Sequence, residues 1–332
     1  MDPRGLLEER YPIHQAATDG KFEWVELLIE KRGVWVDATD LQGRTALTFA
    51  AEHNRIDVVV LLLDKGANIN AMKGRGHTAL HWAIEIGKLP LFNILLSRCK
   101  RKHVNASASG QLKPLYLAVS KAGDEEKSQT YEGMITRLLV KGASINSTSE
   151  DGKDTAWKYA CAHGIDQAVV LMTIHGKRWR KRGLEGLRLA SRHGHMNVVA
   201  RLLEERNKED YCLRGRTTTP LHYAANALRA DVLDHLVEEA DMTDVEILEG
   251  EMEDGKRPLQ LAVEKDALDE GDSYESAFVL VEHGARVDYV NKEKENIILE
   301  LALNSGNQAL ASLIESKLCD SSPESLDDES SE

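Results

Sequence analysis

Pairs of one bulky and one small apolar residue recur along this chain at a spacing that predicts pairs of short helices. Nine alanines recur at intervals of 30 to 42 residues, and a bulky apolar residue stands three positions before each of them. That spacing places both side chains on one helix face, where the small residue lets a neighbouring helix approach closely. The aligned alanines are Ala16, Ala50, Ala83, Ala118, Ala160, Ala190, Ala224, Ala262 and Ala302.

A helix-stopping residue follows most of these alanines by four positions. These residues are Gly20, Asn54, Gly87, Gly164, Gly194 and Gly306, and both residue types accept the left-handed conformation that ends a helix. A second amphipathic run then follows, as in residues 56–64. Because each predicted helix has only about two to three turns, the pairs must stack on copies of themselves to bury their apolar faces.

The motifs between the helices resemble those of the ankyrin-repeat family. Residues 219–224 reproduce its Thr-Pro-Leu-His-x-Ala signature, residues 78–83 nearly do so, and residues 66–70 and 142–146 match its repeat-ending Gly-Ala-x-x-Asn. The resemblance implies an all-α solenoid of stacked helix pairs with short β-turn fingers. We expect one elongated domain, with an N-terminal cap in residues 1–10 and about nine repeats in residues 11–316.

Two of the predicted repeats, the fourth and the eighth, are longer than the others. Their acidic inserts lie near residues 120–133 and 269–275, and each contains a Tyr-Glu pair. This likeness suggests that a block of four repeats was duplicated, which would place both inserts at the same edge of the array. Residues 317–332 are rich in Ser, Asp and Glu, a composition that predicts a disordered tail.

Charge and cysteine content narrow the class of protein. Across 332 residues the formal net charge is −13, which argues against general binding of nucleic acid. The four cysteines are widely spaced, as expected in a reducing compartment. The chain shows neither a signal-peptide pattern nor a membrane-spanning run. We therefore expect a cytoplasmic protein that is not anchored to a membrane and is monomeric by itself.

The polar residues do not form a pattern typical of catalysis. The sequence has no Gly-x-Ser-x-Gly elbow and no phosphate-binding glycine loop. In the ankyrin-repeat family the positions of His14, His81 and His222 serve hydrogen bonding within and between repeats. We therefore predict a protein that is not an enzyme and that uses no metal and no cofactor.

The position immediately before the aligned alanine is the first candidate for binding a partner. It holds four aromatic residues, Phe49, Trp82, Tyr159 and Tyr223, which we call the aromatic column. In the ankyrin-repeat family this position borders the concave groove and varies with the partner. The rings are either binding hot spots or packing between adjacent helices, and the sequence leaves both interpretations open.

The other candidate functional residues lie at the finger tips and in a basic run. By analogy with the family, partner-binding finger residues include Arg44, Arg75 and His77. A basic run formed by Lys177, Arg178, Arg180, Lys181 and Arg182 suits nuclear import, an acidic partner or a solvated loop. The predicted function is a non-catalytic scaffold or adaptor for a protein partner along the groove and fingers. The alternative is a nuclear transcriptional co-regulator that masks or recruits a transcription factor.

Overall fold

A computed structural model describes most of the chain, which divides into two compact units. The described residues are 12–71, 77–105, 112–175, 182–204, 219–238, 248, 251, 255–266, 274–289, 296–304 and 306–320. The first unit comprises residues 1–181 and the second comprises residues 182–332. The predicted cap in residues 1–10 lies outside the described residues.

The described part of the first unit contains five pairs of antiparallel helices. They are α1 Pro12–Asp19, α2 Phe22–Glu30, α3 Ala46–Glu52, α4 Ile56–Asp64, α5 Ala79–Glu85, α6 Leu89–Arg98, α7 Pro114–Lys121, α8 Ser128–Lys141, α9 Ala156–Ala162 and α10 Asp166–His175. The first helices α1, α3, α5, α7 and α9 pack in sequence, each against the next.

The described part of the second unit contains four further pairs. They are α11 Gly183–His193, α12 Met196–Glu204, α13 Pro220–Asn226, α14 Ala230–Glu238, α15 Pro258–Asp266, α16 Glu275–Glu282, α17 Ile297–Asn304 and α18 Gln308–Asp320. Here the first helices α11, α13, α15 and α17 pack in sequence, and so do the second helices α12, α14, α16 and α18. The predicted all-α array of stacked helix pairs is confirmed within each unit.

Small residues make this stacking possible. The aligned alanines of the first helices are at most 2% exposed, and the bulky residues three positions earlier are buried beside most of them. An alanine at the helix contact lets two backbones approach, and the bulky neighbour fills the space one turn away. The core of each unit therefore runs between helices of successive repeats.

Left-handed residues end the first helices, as the sequence predicts. All six predicted stops have positive φ, from 55° at Asn54 to 80° at Gly306. Leu228 occupies the same position after α13 with φ of 52°. A leucine in this conformation is strained, because its Cβ approaches the carbonyl oxygen.

Short β-turn fingers connect the pairs. Isolated antiparallel bridges join Thr39 to Thr45 and Thr148 to Thr155. In the first of these fingers, the amide of Asp40 donates to the carbonyl of Arg44 over 3.0 Å. These bridges confirm two of the predicted fingers and hold the residues at their bases close to the start of the next first helix.

The insert of the fourth repeat folds into helix. It forms a 3₁₀ turn at Glu125–Lys127 and lengthens α8 to 14 residues. Tyr131, from the Tyr-Glu pair, is only 2% exposed. Residues 267–273 of the other insert lie outside the described residues, so the duplication hypothesis stays a prediction.

The last helix is longer than the sequence pattern predicted. It continues to Asp320, four residues beyond the boundary placed at residue 316. Leu318 is half-buried one turn after the fully buried Ile314, so the apolar face continues past that boundary. Residues 317–320 are thus helical and not part of a disordered tail, and residues 321–332 lie outside the described residues.

Candidate functional site

The aromatic column lies at the border between the packed core and the surface. Phe49 on α3, Trp82 on α5, Tyr159 on α9 and Tyr223 on α13 are all half-buried. Each directly precedes an alanine with no exposed surface. Since adjacent helical residues point about 100° apart, the alanine faces the neighbouring helix and the ring is turned toward the edge of that contact. Each ring therefore combines a packed part with an exposed part.

In the second repeat a finger residue covers the column aromatic. The guanidinium carbon of Arg44 lies 4.2 Å from the ring centroid of Phe49, within the range of a cation–π contact. The ring of His14, on α1, meets Phe49 nearly edge-on, with centroids 5.4 Å apart. The structure therefore brings two predicted partner-binding residues, Arg44 and Phe49, into direct contact.

Asp40 holds Arg44 in this position. Its carboxylate accepts hydrogen bonds from the Arg44 amide at 2.8 Å and from Arg44 Nε at 2.5 Å. Burial favours a higher pKa for Asp40, but the bonds donated by the Arg44 amide and side chain and by the Gln42 amide outweigh it and lower the pKa. Asp40 is therefore ionised at neutral pH and fixes the guanidinium over the ring.

The third repeat repeats this arrangement with different chemistry. His77, at the base of the finger, meets the Trp82 ring nearly edge-on, with centroids 5.7 Å apart. His77 also contacts His81, whose ring is parallel to that of His77 with centroids 5.4 Å apart. His77 and Trp82, both predicted from sequence, thus form one surface.

His81 is a structural residue. Its Nδ1 accepts hydrogen bonds from the Thr78 amide and hydroxyl at 3.1 and 2.9 Å, and its Nε2 donates to the Leu112 carbonyl over 2.9 Å. Burial, and after it the electrostatic repulsion that a protonated His77 would exert, lowers the pKa of His81 to about 4 despite the Leu112 hydrogen bond. Neutral His81 therefore connects its own helix start to the next repeat.

The other two signature histidines each show one of these two kinds of hydrogen bond. His14 Nε2 lies 2.9 Å from the Ala38 carbonyl oxygen of the following finger. His222 Nδ1 accepts from the Thr219 amide at 3.1 Å. The hydrogen bonding expected of these positions is confirmed.

The fifth repeat carries an acidic version of the surface. The ring of Tyr159 stacks on that of His163 with centroids 3.8 Å apart. The ring of Tyr116, on α7, contacts the Tyr159 ring at an interplanar angle of 65° with centroids 5.3 Å apart. The Tyr116 hydroxyl is hydrogen-bonded to Asp154, which stands at the base of the finger. Burial first, and then the negative charge of Asp154, raises the pKa of Tyr116 to about 12. Tyr116 is therefore a neutral hydroxyl that donates to Asp154.

A constant sequence separation links these three surfaces. Arg44, His77 and Asp154 each stand five positions before the column aromatic of their own repeat. Asp154 and Tyr116 were not among the residues predicted from sequence, although this separation identifies Asp154 once Arg44 and His77 are chosen. Tyr116 leaves no comparable signal, because it belongs to the preceding repeat and meets Tyr159 only through stacking of α7 on α9.

The second unit places one column residue in a comparable setting. The guanidinium carbon of Arg188, on α11, lies 5.9 Å from the Tyr223 ring centroid. The cation here comes from the preceding first helix, which the finger-based prediction did not consider. Residues 205–218, including the finger of this repeat, lie outside the described residues.

Part of the predicted set falls on residues that the structure does not describe. Arg75 is one, and four members of the basic run, Lys177, Arg178, Arg180 and Lys181, are others. Arg182, the last member, is half-buried at the N-cap of α11. The import hypothesis therefore rests on the sequence alone.

Two of the three described cysteines are buried in the core. Cys99 and Cys161 are buried, whereas Cys319 on α18 is exposed. Burial raises the pKa of Cys99 to about 11, against a smaller opposing effect of Lys141. Cys99 is therefore a protonated core residue at neutral pH.

Two family models, both of ankyrin repeats, match the chain. The one described as "Ankyrin repeats (3 copies)" matches residues 2–73 and 187–291, and the one described as "Ankyrin repeat" matches residues 75–108. Among the described residues, none of the helices is both long enough and apolar enough to cross a membrane.

Several curated proteins are similar to part of the chain. Neurogenic locus notch homolog protein 1 of Mus musculus and of Homo sapiens is 31% identical over 134 residues, and neurogenic locus notch homolog protein 2 of Homo sapiens is 29% identical over 134 residues. These matches cover 40% of this chain and only 5% of the length of each relative.

Proposed function

Because this chain belongs to the ankyrin-repeat family, whose repeats mediate protein–protein interaction, we propose that it is a non-catalytic scaffold or adaptor. Its partner is a protein that binds along the aromatic column and the finger bases. Ankyrin repeats in general are interaction modules without catalytic activity, and the chemistry of the described surface agrees with that role. The proposed location is the cytoplasm.

One observation carries the proposal: in three repeats of the first unit, a polar finger-base residue lies beside a half-buried aromatic ring or its neighbour. Arg44 covers Phe49, His77 contacts Trp82, and Asp154 holds Tyr116 against Tyr159. A ring used only as packing needs no polar partner at the surface. Rigid aromatic groups bordered by polar groups are instead typical of binding hot spots.

The partner surface that fits this arrangement changes in charge along the first unit. The second repeat presents a guanidinium, the third an imidazole beside an indole, and the fifth a carboxylate that is hydrogen-bonded to one of two contacting tyrosines. A partner that follows the repeats meets different chemistry at each finger, which fixes its direction and register. Aromatic area supplies affinity at each of these positions.

The test compares two half-buried tryptophans that differ in their position within the repeat. Trp82 on α5 and Trp24 on α2 are both half-buried, but only Trp82 belongs to the aromatic column. Proteins that are captured by the tagged full chain and by the Trp24→Ala variant should be lost by Trp82→Ala. Arg44→Ala should weaken the capture of the same proteins, since it uncovers the neighbouring ring without removing it.

Stability measurements on the same variants distinguish binding from packing. Trp82→Ala and Trp24→Ala should unfold at similar denaturant concentrations, because each removes a half-buried tryptophan ring. Unchanged capture by Trp82→Ala, or a loss of capture that only follows a loss of folding, contradicts the proposal. A turnover assay in which the purified chain transforms a substrate would contradict the non-catalytic part.

The basic run favours a second candidate function, a nuclear transcriptional co-regulator that masks or recruits a transcription factor. Its support is the concentration of five basic residues within residues 177–182 of an otherwise acidic chain. Replacing those five residues with alanine and imaging the full chain in cells tests it. Import through the run predicts nuclear signal for the parent and its loss in the variant, whereas cytoplasmic signal in both excludes this function.

A further inference from the structure

Two neighbouring second helices of the second unit bring three metal-ligating side chains together. Asp234 and Glu238 stand four residues apart on α14, and therefore project from one face of that helix. His283 follows the last residue of α16, which packs against α14. One ligand atom from each of the three lies within 4.8 Å of the other two.

The spacing inside this cluster is close to that of a coordination sphere. His283 Nε2 is hydrogen-bonded to Asp234 Oδ1 over 3.0 Å, so a metal ion would take the place of the proton between these two atoms. Ligand atoms about 2.1 Å from a metal ion are about 3.0 Å apart at a right angle and about 3.4 Å apart in a tetrahedron. The His283 and Asp234 atoms therefore already have the separation of two adjacent ligands.

The third ligand, Glu238, has a carboxylate oxygen within 4.8 Å of the other two ligand atoms. Glu238 is exposed at the end of α14, so its side chain can approach them without displacing core residues. The His283 side chain is 23% exposed and that of Asp234 is 50% exposed. The imidazole is therefore held by packing, while water and ions reach the open side of the cluster.

We propose that Asp234, Glu238 and His283 bind a divalent transition-metal ion, represented by Zn²⁺, that connects the second helices of two successive repeats. One imidazole nitrogen and two carboxylate oxygens suit Zn²⁺ and similar ions, whereas Ca²⁺ and Mg²⁺ prefer an entirely oxygen ligand set. Three protein ligands leave at least one coordination position for water. Since the ligands come from two helices, the ion binds the folded repeats and stabilises them.

The sequence predicted no metal site, and its local ligand spacings contain no signal for this cluster. Asp234 and His283 are 49 residues apart, so no local ligand spacing links them. Their proximity arises only from the packing of α14 on α16. The site is independent of the aromatic column, so the two proposals stand or fall separately.

Zinc binding to the purified full chain tests the proposal, with a chromophoric chelator as competitor. The parent should bind one more Zn²⁺ than His283→Ala does. Glu238→Gln should weaken that site by at least about tenfold, as expected when a ligand is lost. The matched controls are His175→Ala, an exposed histidine at the end of α10, and Glu282→Gln, an exposed glutamate at the end of α16. Both controls should bind like the parent.

Thermal unfolding provides the second readout. Zn²⁺ should raise the unfolding midpoint of the parent and of both controls, and should raise it less in Glu238→Gln, whose exposed position leaves folding intact. Equal zinc binding by the parent, His283→Ala and Glu238→Gln overturns the proposal. So does equal protection by Ca²⁺ at the same concentration, since it indicates nonspecific binding to acidic groups.

Discussion

Acidification should weaken the fold through His81, whose ring is buried without exposed surface. The ordinary pKa of 6.5 falls to about 4 in the folded chain, because burial and repulsion from a protonated His77 oppose protonation. Between these two values the unfolded chain binds the proton and the folded chain does not. The contribution of His81 to the free energy of unfolding is therefore fully present above about pH 6.5, and it is lost as the pH falls toward 4.

The size of this effect follows from the two pKa values of His81. A tenfold difference in proton affinity between the folded and unfolded chains corresponds to about 1.4 kcal/mol. The free energy of unfolding at pH 4 should therefore be about 3 kcal/mol lower than at neutral pH, and about 2 kcal/mol of this is lost between pH 7 and pH 5. Replacement by glutamine removes the titrating group. His81→Gln should be less stable than the parent by about 1–3 kcal/mol at pH 7, since buried hydrogen bonds are lost.

Urea unfolding followed by circular dichroism at pH 7 and pH 5 measures both quantities. The difference in unfolding free energy between the parent and His81→Gln should shrink by about 2 kcal/mol on acidification. His175→Gln, at an exposed histidine in the same unit, should show no such change. A difference between the parent and His81→Gln that is equal at both pH values refutes the reasoning.

Three further substitutions test the backbone and the core by urea unfolding. Gly142→Ala should destabilise by at least about 1 kcal/mol, because φ is 98° and a Cβ would lie 2.6 Å from an arginine side chain, whereas Gly123→Ala, with open space around it, should be nearly neutral. Leu228→Gly should be more stable than Leu228→Ala by about 1 kcal/mol, because both lose the half-buried side chain and only the alanine keeps the strain of a φ of 52°; equal stability of the two variants would contradict that strain. Trp157→Ala, at a fully buried ring, should lose about 3–5 kcal/mol, whereas Trp35→Ala, at a ring 69% exposed, should lose less than about 0.5 kcal/mol.

The column aromatics show how sequence and structure share the description of the candidate site. Their positions before the buried alanines follow from the helical repeat, and their half-buried state follows from that register. The sequence left two interpretations, packing or binding. Each ring does the first in part, and the polar neighbours of Phe49 and Trp82 are the reason that binding is proposed as well.

The sequence by itself determined the elements of this protein. Alanines at intervals of one repeat, bulky residues one turn before them and glycines four positions after them are local signals, and local signals specify helix pairs and their stops. Stacking then follows, because helices this short cannot bury their apolar faces alone. The finger residues Arg44 and His77 followed from the resemblance to the ankyrin-repeat family.

Only the tertiary structure decided which side chains meet across repeats. Tyr116 reaches Tyr159 because α7 packs on α9, and Asp234 reaches His283 because α14 packs on α16. The continuation of α18 to Asp320 accompanies an apolar face that the half-buried Leu318 extends one turn past Ile314. The Tyr116–Tyr159 and Asp234–His283 contacts join residues more than 40 positions apart, and their distances depend on how the helices pack rather than on spacing along the chain.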